Sequence, residues 1–156
     1  MSSVQQDKKE SSARVIEGHR IVVGIDGSLA SLSALEWAAR QAELTDASLE
    51  IVATWDWPTG LGWSIIPEGY DPAAELLKMI DPLMVSLRTA HPKIVVESKI
   101  IEGHPAPVLI RESKGADLLV IGSRGHGEFI GMLLGSTSEH CVANAACPVV
   151  VFRGNA

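Results

Sequence analysis

No run of apolar residues in this 156-residue chain approaches the ~20 needed to cross a bilayer as a helix. Cysteine is nearly absent. The only two, Cys141 and Cys147, cannot make a disulfide framework, and no C-x-x-C or Cys/His spacing suggests zinc. Both thiols are expected to be reduced and partly buried. There is no basic excess either. Thirteen Lys and Arg stand against 19 Asp and Glu, for a formal net charge of −6. Such a chain carries no broad electrostatic footprint for nucleic acid, so a phosphate ligand would have to be captured by local backbone groups. Met1 to Glu17 is polar and lacks an apolar h-region, so no signal peptide is read and the cytoplasm is the expected location. Residues 1–18 read as a flexible polar tail.

What remains is ordinary for a soluble globular chain: 46% hydrophobic and 21% charged residues. The length predicts one domain, over 19–156. Ile21 to Ile25 is a short, nearly all-apolar run ending at Asp26-Gly27, as expected of a strand buried on both faces. Ser28 is a good N-cap, and Leu32, Leu35, Ala39 and Ala42 follow at helical spacing. Leu49 to Thr54 is a second strand. A Trp-, Pro- and Gly-rich loop leads from it to a second helix, with Pro72 in its first turn and an end near Ala90. Pro82 inside that helix predicts a kink or break near Ile80.

Ile94 to Ile101 is the third strand. Gly103-His104-Pro105 opens a third helix, which Lys114-Gly115 closes. Pro107 falls in its first turn, where a missing N–H costs little. Asp117 to Ile121 is the fourth strand. A fourth helix runs from Ser136 to about Ala146, and Val149 to Phe152 is the fifth strand. Strict β-α alternation predicts an α/β fold: a doubly wound, Rossmann-like parallel sheet of five strands with helices on both faces. With the doubly wound strand order 3-2-1-4-5, ligands bind where that order reverses, between strands 1 and 4.

The ends of those two strands carry the unusual residues. Strand 1 ends in Gly24-Ile25-Asp26-Gly27-Ser28, and strand 4 leads into a glycine-rich segment from Gly122 to Ser136. Glycines let backbone N–H groups approach a ligand. The start of the following helix can hold a phosphate on its unpaired N–H groups. A ligand-free reading fits the same residues, because Ser136-Thr137-Ser138-Glu139 is a capping box. The loop has no Gly-Lys-Ser/Thr ending and strand 1 is not followed by G-x-G-x-x-G, so neither a Walker A loop nor a dinucleotide fingerprint is present.

Gly122, Gly125, Gly135 and Ser136 meet the spacing G-x2-G-x9-G-[S/T]. With Ile21 to Ser28, Gly103-His104-Pro105-Ala106, Lys114 to Gly125 and Cys147-Pro148-Val149-Val150-Val151, they resemble the ATP-binding universal stress proteins over about residues 19–153. That resemblance implies an adenine nucleotide alpha hydrolase-like fold and ATP as ligand, alone or with Mg or Mn. It implies that Gly24, Ile25, Asp26, Gly27 and Ser28 approach the adenosine. The adenine edge falls near the backbone of Ala53. Ile121, Gly122 and Gly125 lie along ribose and phosphates, and Gly135, Ser136, Thr137 and Ser138 hold the phosphates. Arg124 and His126 add charge there or remain solvated. Asp26 helps position an ATP-bound metal or a ribose hydroxyl, or is simply a turn acid. The resemblance also implies a regulatory role in stress response and a homodimer paired through Val149, Val150, Val151 and Phe152.

No placed nucleophile–base pair is evident, so no catalytic residue is assigned and at most slow ATP hydrolysis is expected. The other functional readings are a slow ATPase and a dimeric interaction module without nucleotide. A phospho-acceptor receiver domain would need an Asp where this chain has Ile100-Ile101-Glu102. Trp55, Trp57 and Trp63 could cover the adenine pocket, face a partner, or pack over their own loop.

Overall fold

The computed structural model describes residues 18–57, 67–125 and 133–154. Along the chain run β1 (Arg20–Ile25), α1 (Leu29–Thr45), β2 (Ser48–Trp55), α2 (Pro72–Ala90), β3 (Val96–Glu102), α3 (Pro105–Glu112), β4 (Leu118–Gly122), α4 (Ser136–Asn144) and β5 (Val149–Phe152). The strands pair in parallel in the order β3-β2-β1-β4-β5. This is the expected doubly wound arrangement.

The central strands are apolar on both faces because helices cover both. Ile21, Val23 and Ile25 of β1 join Leu49, Ile51 and Ala53 of β2 in a core cluster with α1 and α2. Val22, Val52, Leu119 and Ile121 point the other way, onto Val108 and Leu109 of α3 and Cys141 of α4. Burial pushes the Cys141 thiol up to about 11. The buried face of α1 is largely alanine, at positions 34, 38, 39 and 42, so this helix can lie close to the sheet.

Three local expectations are corrected. Pro82 does not break α2, which is continuous from Pro72 to Ala90. Proline removes one N–H, and here it is exposed, so the carbonyl it orphans, that of Lys78, can turn to solvent. β3 starts at Val96 because Ile94 is used in a turn, its N–H donating to the His91 carbonyl. α3 stops at Glu112, and the chain turns through Ser113 and Lys114 to Gly115, whose φ of 73° suits glycine.

A charged network fixes α3 against the sheet. Arg20 donates to Glu50 and to the carbonyls of Glu112 and Lys114, at 2.8–3.0 Å. Lys99 bridges Glu50 and Glu112 at 3.0 and 2.9 Å. Burial opposes the charge on Lys99, but Glu112 and Glu50 outweigh it and raise its pKa. Burial likewise opposes the charge on Glu112, and Lys99 and Arg111 outweigh it and lower its pKa. No helix among the described residues is long and apolar enough to cross a membrane. Trp63, His126 and the tail over 1–17 lie outside the described residues.

Candidate functional site

A cavity of about 360 Å³ opens at the carboxyl ends of β4, β1 and β2. That volume lies within the range of small-molecule sites, ~300–1,000 Å³. The position is the one expected of a doubly wound sheet, at the point where strand order reverses.

The turn after β1 forms the middle of the wall. Asp26 Oδ1 accepts the Ser28 N–H at 2.9 Å, and Gly27 between them has φ of 82°. The Ser28 hydroxyl accepts the Ser31 N–H at 3.2 Å and caps α1. The turn-acid role of Asp26 is therefore present in the geometry. Its carboxylate also meets the segment after β4: a Cβ on Gly125 would lie 2.5 Å from Asp26 Oδ2. Any side chain at 125 would displace the Asp26 carboxylate from this position. Gly122 has a different reason. A Cβ there would sit 3.0 Å from the Ser31 backbone nitrogen and from the Ala30 Cβ, so its absence lets α1 pack against the end of β4.

The segment after β4 is pinned at both ends. Ser123 N–H donates to the Phe152 carbonyl at 2.7 Å, and Gly135 N–H donates to the Ser123 carbonyl at 2.8 Å. The Ser138 hydroxyl, buried, donates toward the carbonyls of Gly122 and Ser123 at 2.7 and 3.2 Å. Ser138 thus anchors α4 to β4, and its hydroxyl proton is engaged there rather than aimed at a ligand.

The capping box does not form, which corrects the ligand-free reading. Gly135, not Ser136, is the N-cap of α4, and no side chain among the described residues caps the helix. The register is fixed one residue earlier than the box requires, because the Glu139 N–H donates to the Gly135 carbonyl. Ser136 and Thr137 instead line the cavity from the first turn of α4. Helix N–H groups without a side-chain cap are the donors an anion needs. Arg124 is exposed and is the one basic residue among the described lining residues.

At the other end of the cavity the wall is built mainly of side chains. Ala53 does not line it. Its side chain is fully buried on the α1/α2 face, and β2 is a central strand that pairs Ala53 with Ile25 on one side and Ile100 on the other. A one-residue step along a strand reverses the face, so Val52 and Thr54 line the cavity instead. Trp55 and Asp56 continue that wall, and Gly103, Pro105 and Leu109 oppose it from the start of α3. Trp55, Gly103 and Pro105 stand out in the sequence, whereas the generic character of Val52, Thr54, Asp56 and Leu109 left no motif to find. The Gly103 N–H donates to the Trp55 carbonyl at 2.8 Å, and His104 Nδ1 sits 3.0 Å from Asp56 Oδ2. Trp57 packs edge-on against Trp55, with ring centroids 5.5 Å apart.

Of the residues anticipated from sequence, Gly24, Ile25, Asp26, Ser28, Ile121, Gly122, Arg124, Gly125, Ser136, Thr137 and Ser138 surround this one cavity. Gly27 and Gly135 flank it as turn and cap. No group of three or more His, Cys, Asp or Glu that could hold a metal ion occurs among the described residues.

Residues 18–153 match the model of the universal stress protein family. A universal stress protein of Mycobacterium tuberculosis strain H37Rv is 39% identical over 144 residues, which is 85% of this chain and 47% of that protein. The chain thus spans about half the length of the curated relatives it matches. A crystal structure of a universal stress protein in complex with cAMP is 25% identical, with a TM-score of 0.63, over 88% of this chain and 98% of the other. An Arabidopsis thaliana member with AMP bound is 22% identical, with a TM-score of 0.61, over 88% and 93% of the two chains. The last likeness bears on the fold alone.

Proposed function

The chain belongs to the universal stress protein family, and from that premise we propose that it binds ATP in the cavity above β4, β1 and β2 as a regulatory module of the stress response. One observation carries this reading. Gly122, Gly125 and Ser136 of the G-x2-G-x9-G-S spacing meet the β1 turn around one cavity, flanked by Gly135 at a helix start that no side chain among the described residues caps. The complex of a family member with cAMP supports an adenine nucleotide as the ligand class.

The phosphates lie at Gly122, Gly125, Gly135, Ser136 and Thr137. Backbone N–H groups and two hydroxyls donate, and Arg124 adds charge from the rim. Charge-assisted bonds of this kind contribute about 1.5–3 kcal/mol each, more than the ~0.3–1 kcal/mol of the helix dipole alone. The nucleoside runs along Gly24 to Ser28. Asp26 faces the same segment, so a Mg or Mn ion carried by the phosphates would find a carboxylate there. On this reading the ligand is sensed rather than consumed, as a regulatory module requires. The protein acts in the cytoplasm as a homodimer joined along β5. That strand is the edge of the sheet, and an apolar edge needs cover.

The test is to denature freshly purified protein and identify the released nucleotide, alongside ATP titration of protein stripped of it. Released adenine nucleotide or a saturable ATP isotherm is expected. Neither one appearing overturns the reading.

A further inference from the structure

Asp56 lines the cavity just beyond the end of β2 and brings a carboxylate to it, and we propose that this carboxylate selects the base by accepting a hydrogen bond from an exocyclic amine. The inference rests on the nucleotide reading above and deepens it. β4 and β2 flank β1, so their ends are two strand spacings apart, roughly 10 Å. With the phosphates at α4, the base lies at the end of β2. Val52, Leu109 and Pro105 supply apolar surface there, and Thr54 and Asp56 supply polar groups. Val52 packs on the α3 face, whereas Ala53 packs on the opposite one. Strand alternation carried past Thr54 brings Asp56 to the Val52 side.

The Asp56 carboxylate is held from two directions. Oδ1 accepts the Trp57 N–H at 2.8 Å, and Oδ2 pairs with His104 Nδ1 at 3.0 Å. A carboxylate has about four acceptor positions, so these two partners fix its orientation and leave capacity for a ligand donor. His104 is a positioning residue, reaching Asp56 from the start of α3 across the cavity mouth. An ionised carboxylate only accepts. It therefore favours a base that presents an amine toward it, and it is left without that partner when the amine is missing.

The experiment compares ATP with purine riboside triphosphate, which lacks only the 6-amino group, on wild type, Asp56→Ala and His104→Ala by calorimetric titration. Wild type is expected to prefer ATP by about 10-fold or more, the size of one charge-assisted hydrogen bond. Asp56→Ala is expected to bring the two ligands within about 2-fold of one another. His104→Ala should give an intermediate ratio, which a purely structural residue would not change. Circular dichroism and thermal melting check that both variants fold. If wild type binds ATP but the ratio is the same in Asp56→Ala, the base-reading role is overturned while nucleotide binding stands. If wild type binds neither ligand, the nucleotide reading itself falls.

Discussion

The two ends of the cavity are built differently. The end at β4 and α4 is mostly backbone: glycines that permit close approach and a helix start closed by Gly135 rather than by a side chain. The end at β2 and α3 is a wall of side chains, with Val52, Thr54, Asp56 and Leu109 in it. The first kind of site restricts which residues can stand at a position such as Gly122, because an added Cβ meets the Ala30–Ser31 backbone. The second kind tolerates many residue types, so its identity can change with little effect on the fold. On the proposed reading, that division assigns the constant chemistry, the phosphates, to β4 and α4, and the variable chemistry, the base, to β2 and α3.

The largest effect is expected at the backbone end. Gly135→Asp should weaken ATP at least about 100-fold, since a carboxylate set against phosphates costs several kcal/mol. Aspartate is itself a good N-cap, so the melting temperature should hold. Unchanged ATP affinity in a folded variant would move the phosphates elsewhere and erase the distinction between the ends.

Gly122→Ala separates packing from binding within that end. Its Cβ meets the Ala30 and Ser31 backbone, and overpacking of this kind costs about 1–3 kcal/mol. Thermal melting should fall by several degrees, about 2–4 °C per kcal/mol for a domain of this size. A stable variant would mean that α1 yields easily there. Thr137→Ala, at a helix start where alanine is well tolerated, should weaken ATP by about 10-fold with the melt unchanged. No loss would show that the backbone alone holds the phosphates.

The smallest effect concerns the scaffold of the side-chain end. Glu112, whose pKa is held below its ordinary 4.5 by Lys99 and Arg111 against the opposing effect of burial, is bound more weakly to protons when folded than when unfolded. Its contribution is present above pH 4.5 and is lost as the pH falls through the lowered value. Glu112→Gln should make the acid side of a stability-versus-pH curve shallower, by under about 1 kcal/mol for a partly screened network. A wild-type and variant curve of identical slope would remove Glu112 from the structural role assigned to it.

The same difference between the ends explains what could be read from the residues alone. The alternation of strands and helices followed from apolar strands and helical spacing, and the glycine-rich segment from its glycines, all of which are constrained by sterics or periodicity, whereas the sheet order came from the fold class rather than from any residue. The base end did not follow. Val52 and Thr54 do not stand out because a strand carries no internal mark of which residues face a ligand, only of which alternate. Asp56 and His104 meet from segments nearly fifty positions apart in sequence, and although His104 falls in the Gly103-His104-Pro105-Ala106 piece of the resemblance, nothing in that piece points to Asp56. Ser136 looked like a cap because S-x-x-E is a local pattern. The Ser123–Gly135 hydrogen bond and the Ser138 anchor instead close the segment around a register in which Gly135 precedes the helix. Pro82 looked like a breaker because its exposure, which makes it tolerable, depends on tertiary placement.

The most direct measurement is ATP titration by calorimetry of wild type and Gly135→Asp, both unfolded and refolded to remove any nucleotide carried from expression. Saturable binding of one ATP per wild-type chain, lost in the variant while its melt is retained, is the expected result. Equal binding by the two, or no binding by a correctly refolded wild type, would contradict a phosphate site at the start of α4.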